Sequence, residues 1–555
     1  MVPPNHTREQ RAVFRAMVRV LVLLAVCAPW FNIVRDNADS AGMLAHLHGL
    51  FVDVDLLYDD EYRALRVAPT FAFVTGEGVV SNHWPAGASW LQAPGYGLGL
   101  WAARALAWAG GPRLNPYGAV VLLGVRTLAM LVLAGVASAL ARAHAEAAGS
   151  QRAGVLAAAA WIVGTPLLYY ASEAPLRPHA WGFAVTAAFM LAWWRRDWGT
   201  PLQRAVVLGG VVGLAAGIRP QLAPLWLLVV EDAWGRTQGR SKRVGASALA
   251  AAAWPLLHVR VQLWMYGGDL GDYATRTTHH LRAFLVSPYH GALVWSPVLV
   301  VGIAALLWGV LCRHRAAWLL AVLFAHQIWL DAGMRDIAAF EVLGTRTWSG
   351  GTSFGARKLL DALPLLLPAS LGLAAAVRER PGARRAVASL VLALLVPSAL
   401  LLAAAFVEPD TTAALLDWRG LAVVLERPLS ASAWGDAAAA RRVPWRVWAA
   451  LVGLVALPLA LATVRTQAGL QRVRAPLRAS LAGVVVLGGA VFAHVWLSVA
   501  LVRSDLALQD DPQRMAVARA SLHPAHQAAV ARIEARHATL RALLGEHAAP
   551  PTRAR

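Results

Sequence analysis

Cysteine is nearly missing from this chain, with only Cys27 and Cys312 among 555 residues. Both lie inside or at the end of apolar runs, which excludes a disulfide framework and a thiolate metal site. Charge is scarce too, at 15% of residues against 58% hydrophobic. Acids are scarcer still, 31 Asp and Glu against 51 Lys and Arg. No fixed-period repeat is visible, so solenoids are excluded. The 17 histidines are scattered, with no tight zinc spacing, and hydrogen bonding within the fold is the expected role for most of them. No small-residue cleavage site follows the first apolar run, which therefore reads as a retained span rather than a removed signal peptide.

What the chain has in place of these is apolar runs of about 18 residues or more, the length that crosses a bilayer core. A run such as AVVLLGVRTLAMLVLAGVASAL is too long and too uniform for the alternating strands of a membrane barrel. The expected fold is an all-α polytopic membrane protein with spans near 13–33, 116–141, 153–171, 178–194, 203–217, 220–234, 244–266, 292–311, 316–333, 358–377, 386–407, 446–464 and 479–501. Many of the 24 tryptophans fall near the ends of these runs, where an interfacial belt wants them.

The net charge of +20 would point to nucleic acid in a soluble protein. Here the bases sit mainly in short loops and set orientation, so no nucleic-acid partner is expected. Arg8, Arg11, Arg15 and Arg19 place the N-terminus in the cytoplasm. Each later loop on that side is basic, at Arg142 and Arg152, Arg195 and Arg196, Arg236 to Arg243, Arg313 and Arg315, Arg378 to Arg385 and Arg465 to Arg478. The stretch His83 to Gly111, apolar but interrupted by Pro85, Pro94 and glycines, then reads as broken helices along or dipping into the outer face. Residues 1–501 form the membrane domain, with an acidic first outer loop at 34–115. Residues 502–555 form an extracytoplasmic tail with an amphipathic stripe at Val530, Ile533, Leu540 and Leu544.

Between Val34 and His83 eight acids (Asp36, Asp39, Asp53, Asp55, Asp59, Asp60, Glu61, Glu77) face three bases (Arg35, Arg63, Arg66). Carboxylates near a bilayer need an aqueous home or a function. A solvated loop is the expectation for most of them. Asp36 and Asp39 differ, because they follow a span closely and, three apart, would share a helix face.

Several outer stretches, in order, resemble the GT-C superfamily of polytopic glycosyltransferases, especially bacterial protein O-mannosyltransferases and the aminoarabinose transferases of lipid A. They are Asp39 to Tyr62, HWPAGASWLQAPGYGLG, GTPLLYYASEAPLRPHAWGF, GIRPQ, SPYHGALVWSPV and TWSGGTSFGARKLLDALP. The resemblance covers roughly residues 13–365. Many relatives have Asp-Glu where this chain has Asp39-Ser40, with Asp36 one turn earlier.

The resemblance implies a bacterial inner-membrane enzyme that moves a sugar from a polyprenyl-phosphate donor to a glycan, lipid or protein acceptor at the outer face, with inversion. The acceptor hydroxyl needs a carboxylate base, for which Asp39 is the first choice and Asp36 the second. The leaving phosphate needs cations, and Arg357 and Lys358 after GGTSFG are the strongest candidates, with Arg219 a further one. The alternative for Arg357 and Lys358 is interfacial anchoring of a span. Asp59, Asp60 and Glu61 hold the acceptor, or a divalent cation as in some superfamily members, or form a plain loop. Glu173 and His179 face the cavity. Tyr289 and Trp348 either stack on sugar or pack in the interface belt. The competing function is a transporter or flippase of lipid-linked material, against which stands the lack of two similar halves.

Overall fold

The computed structural model describes residues 38–65, 78–82, 84–234, 239–267, 280–333, 354–407 and 475–509, together with 67, 75, 419, 421, 424 and 425. The spans expected at 13–33 and 446–464, and the stripe of the C-terminal tail, lie outside the described residues. So do Asp36, His83 and Trp348.

The regular elements among the described residues are helices. Five are long and apolar enough to cross a membrane: Val121–Ala148, Pro201–Ile218, Arg357–Ala376, Pro381–Ala405 and Ala482–Ser504. The pair Arg240–Ala252 and Pro255–Tyr266, bent by 45°, is a sixth if taken as one span. The chain is thus a helical membrane-type protein. Leu390, Leu392 and Val396 on one helix, and Val484, Val485, Val491 and Val495 on another, are exposed. Such surfaces suit lipid and would aggregate in water.

Several expected spans are interrupted, and proline accounts for most of the breaks. The stretch 153–171 divides into Gln151–Ile162 and Leu167–Ser172 around Pro166, and 292–311 into Ala292–Trp295 and Leu299–Leu311 around Pro297. The stretch at 220–234 begins as a 3-10 turn over Pro220–Leu225, and that at 358–377 as a 3-10 run over Arg357–Leu366 with Pro364 inside. A missing N–H and a ring clashing with the preceding turn explain each departure. The opposite correction applies at 83–111, expected to be broken. Gly87–Trp108 is one 22-residue helix running through Pro94. Its Gly95 and Gly99 lie against the backbone of Gly124 and Val121, a small-residue crossing of the kind membrane helices use.

The described part of the acidic loop at 38–65 is helical and packed, with Glu61 alone of its six acids fully buried. The helix Ala38–His48 buries Met43, Leu44 and Leu47 in a cluster with Tyr58, Tyr96, Val125, Trp254 and Leu497. The last helix also holds the loop directly, since Trp496 Nε1 donates to the Leu50 carbonyl and Ser504 Oγ accepts from the Leu56 amide.

Polar groups collect at two opposite ends of the bundle. The 17-residue helix Pro178–Trp194 and the 18-residue helix Pro201–Ile218 are each about 25 Å long at 1.5 Å per residue. Near the Arg195 end, Arg204 meets Asp232 at 3.2 Å and Arg315 meets Glu231 at 2.7 Å. At the other end stand His179 and Arg219.

Candidate active site

Asp39 occupies the first turn of Ala38–His48, where a helix N-terminus favours an anion. Its Oδ1 accepts a hydrogen bond from Trp84 Nε1 at 3.0 Å, and its Oδ2 pairs directly with Arg357 Nη1. Those two side chains are 318 positions apart in sequence. Burial works to raise the Asp39 pKa, but Arg357, Arg177 and the Trp84 hydrogen bond together hold it well below the usual carboxylate range. Asp39 is therefore ionised and engaged.

Trp84 is fixed from behind. Its carbonyl accepts from His46 Nε2 at 2.8 Å. A carbonyl only accepts, so Nε2 carries the proton and Nδ1 takes the Tyr58 hydroxyl hydrogen at 2.8 Å. The Trp84 ring covers Gly42, leaving no space there for a side chain. The HWP stretch thus supplies a rigid donor to the acid.

Arg357 and Lys358 open the 3-10 run after Gly355, whose φ of +60° is a left-handed turn that glycine adopts freely. Both cations are buried, which sets aside their snorkelling to an interface. One turn further, Asp361 Oδ2 lies 3.0 Å from Arg219 Nε. Arg219 ends the helix Pro201–Ile218 in extended backbone and also reaches His179 Nδ1 at 2.8 Å. A guanidinium only donates, so His179 accepts at Nδ1 and holds its proton on Nε2. The 3.6 Å approach of His179 to Asp361 is then no ion pair. A Cβ on Gly182 would stand 2.7 Å from Asp361 Oδ1, so this glycine makes room for the buried acid.

Arg177, Arg219, Arg357 and Lys358 all act electrostatically on His179, and Arg219 and Lys358 act on the fully buried Asp331. Four cations and three acids thus converge from five separate stretches of chain. Arg177 also lies 5.8 Å over the ring of Tyr170, whose hydroxyl donates to the Phe354 carbonyl at 2.9 Å.

The remaining candidates separate. Glu173 faces Arg126 at 3.8 Å, both buried, so its place is explained by the arginine inside the apolar run AVVLLGVRTLAM. Tyr289 is buried with its ring 3.9 Å from that of His290. His290 breaks the expectation of structural hydrogen bonding, because neither ring nitrogen has a hydrogen-bond partner although both are closed from solvent. Burial, with Arg357 nearby, pushes it down to about 3. It is a neutral imidazole beside the cations, with two polar atoms to offer. His46, His48 and His179 do make the hydrogen bonds expected.

Asp59, Asp60 and Glu61 open the helix Asp59–Leu65 with unlike exposures. Asp59 is half-buried, Asp60 exposed and Glu61 fully buried. The acid that joins Asp60 and Glu61 is Asp53 rather than Asp59, and oxygens of these three lie within 4.8 Å of one another.

Arg177, Asp331 and Asp361 were passed over in the sequence. Asp331 carried a readable signal, an acid within an apolar run. Asp361 and Arg177 lay inside stretches quoted for the resemblance, and only the fold sets them beside Arg219 and Asp39. No family model, curated protein or solved structure matches the chain.

Proposed function

We propose that this protein is an integral membrane glycosyltransferase that moves a sugar from a polyprenyl-phosphate donor to an acceptor at the extracytoplasmic face, with Asp39 as general base. The observation that carries the reading is the direct pairing of Asp39 with Arg357 in a side-chain cluster that also gathers Arg177, Arg219 and Lys358. Thirteen spans, with the N-terminus in the cytoplasm and the C-terminus outside, belong to the same proposal.

The donor phosphate lies among the cations. The acceptor oxygen attacks the anomeric carbon, the carbon–oxygen bond to phosphate breaks and its electron pair stays on the phosphate. The acceptor proton passes to Asp39, and configuration inverts. Preorganised guanidinium groups stabilise the charge that grows on the leaving group.

Asp39 held by Arg357 is a weak base, since a base works best with a pKa near the operating pH. Phosphate competes for the same guanidinium. Once Arg357 turns to the phosphate, Asp39 loses its strongest cation and regains basicity, so donor arrival activates the base. His290, neutral and without a hydrogen-bond partner, offers ring nitrogens to sugar hydroxyls.

The test is release of free polyprenyl phosphate from a panel of polyprenyl-phosphate sugars by the protein in nanodiscs, comparing wild type with Asp39→Asn. Release by the wild type alone supports the reading. Equal release by both sinks Asp39 as base.

A second reading, transport of lipid-linked material, is favoured by Asp331 and Asp361, acids buried in apolar helices as in proton-coupled carriers. It predicts movement of intact donor across a liposome bilayer without release of phosphate.

A further inference from the structure

A second group of carboxylates in the acidic loop does not include Asp39 and has no part in the transfer just described. The short π-helical turn Gly49–Asp53 ends at Val54, whose φ of 58° is left-handed, a conformation seldom taken by a β-branched residue. That turn swings Asp53 back over the start of the helix Asp59–Leu65, where it meets Asp60 and Glu61 with oxygens all within 4.8 Å. Like charges so close repel unless a proton or a cation lies between them.

Glu61 supplies the independent observation. It is fully buried, and the side chains that hydrogen-bond to it are the acids Asp60 and Asp53. The charged groups that act on it most are Asp60 and Asp53, themselves acids. Asp53 Oδ2 is likewise closed from solvent. Burying a carboxylate in this way is unfavourable unless something charged completes the site. His48 is placed as an outer partner. Its Nε2 faces Asp53 Oδ2 at 3.4 Å, while Nδ1 accepts from the Tyr96 hydroxyl at 2.7 Å, an arrangement in which an outer partner orients a metal-binding carboxylate.

We propose that Asp53, Asp60 and Glu61 bind a hard divalent cation of the Ca2+ class, which ties the acidic loop to the last membrane helix. The donors are all oxygens, which selects Ca2+, Mg2+ or Mn2+ over softer metals. Two oxygens across a Ca2+ ion stand about 5 Å apart, whereas the shorter Mg2+ bonds allow only about 4.2 Å. Oxygens all within 4.8 Å of one another fall inside the span of a Ca2+ ion. The site lies next to the loop's anchors on the last helix, where Ser504 holds the Leu56 amide and Trp496 the Leu50 carbonyl. Arg503 of that helix already acts electrostatically on Asp53.

The test uses the full-length protein in nanodiscs and needs no glycosyl donor. Tb3+, a Ca2+ surrogate that Tyr and Trp side chains sensitise, should luminesce on binding and be displaced by Ca2+ in preference to Mg2+. Glu61→Gln and the surface substitution Asp60→Asn should each weaken the response about 10-fold to 100-fold, and His48→Ala by a similar factor if it orients Asp53. Asp39→Asn should leave the response unchanged, which separates this site from the transferase reading. Absence of a Ca2+-displaceable signal in the wild type, or a signal as strong as wild type in Asp60→Asn and Glu61→Gln, overturns the proposal.

Discussion

The two ends of the acidic loop hold the same kind of side chain under opposite electrostatics. At one end Asp39 has Arg357, Arg177 and Trp84 around it and is held well below the usual carboxylate range. At the other, burial and then Asp60 push Glu61 up to about 10. Burial works to raise the pKa of both, so burial alone does not distinguish them. The difference is the neighbour, two arginines brought in from distant stretches for Asp39 and further acids for Glu61. The first acid is therefore read as a partner for an anionic ligand and the second as part of a cation site.

This contrast can be broken at either end. The largest effect should come from Asp39→Asn, which removes the base while keeping its shape. Transfer should fall roughly 100-fold to 10,000-fold, the usual contribution of general acid–base catalysis, while membrane insertion and yield stay normal. Turnover of purified protein checks this. Arg357→Ala should come next, because it leaves Asp39 mostly buried without its main partner. Breaking a buried pair from one side costs about 3 kcal/mol or more. The double variant Asp39→Asn/Arg357→Ala should recover much of that loss, as a double-mutant cycle of thermal unfolding in detergent would show.

A pH series sharpens the same point. The Asp39 pKa is depressed on folding, so its pairing contributes stability above the unfolded value near 3.8 and loses it as pH falls through the lower folded value. Wild type should therefore lose stability on acidification below about pH 4, and Arg357→Gln should show a shallower decline. The smallest effect belongs to the other end. In chelator, Glu61→Gln replaces a carboxyl that burial and Asp60 already drive toward its neutral form, and it should be neutral or stabilising by about 1 kcal/mol. A clear loss of stability in chelator would place Glu61 with Asp39, as a paired rather than a repelled acid.

Much of the framework was legible in the order of residues. Long apolar runs identified a helical membrane protein, and the acids after the first span, with the cations after GGTSFG, named the two partners that meet as Asp39 and Arg357. The breaks at Pro166 and Pro297 were less readable, because hydropathy averages across a proline that ends a helix. Asp361 and Arg177 were hidden for another reason. Each is ordinary in its own segment and gains a role only when helices distant in sequence bring their ends together. Asp53 went unnoticed as a partner of Glu61 because the intervening turn contains a left-handed valine, which nothing in the residue pattern announces.

The most direct test of the central claim is the affinity of the purified protein in nanodiscs for a polyprenyl phosphate, compared across wild type, Asp39→Asn and Arg357→Ala. If phosphate and Asp39 compete for one guanidinium, Asp39→Asn should bind the lipid more tightly than wild type while failing to transfer, and Arg357→Ala should bind it more weakly. Affinities that ignore both substitutions would contradict the account, and Arg357 would then be a structural partner of Asp39 with no part in holding a donor.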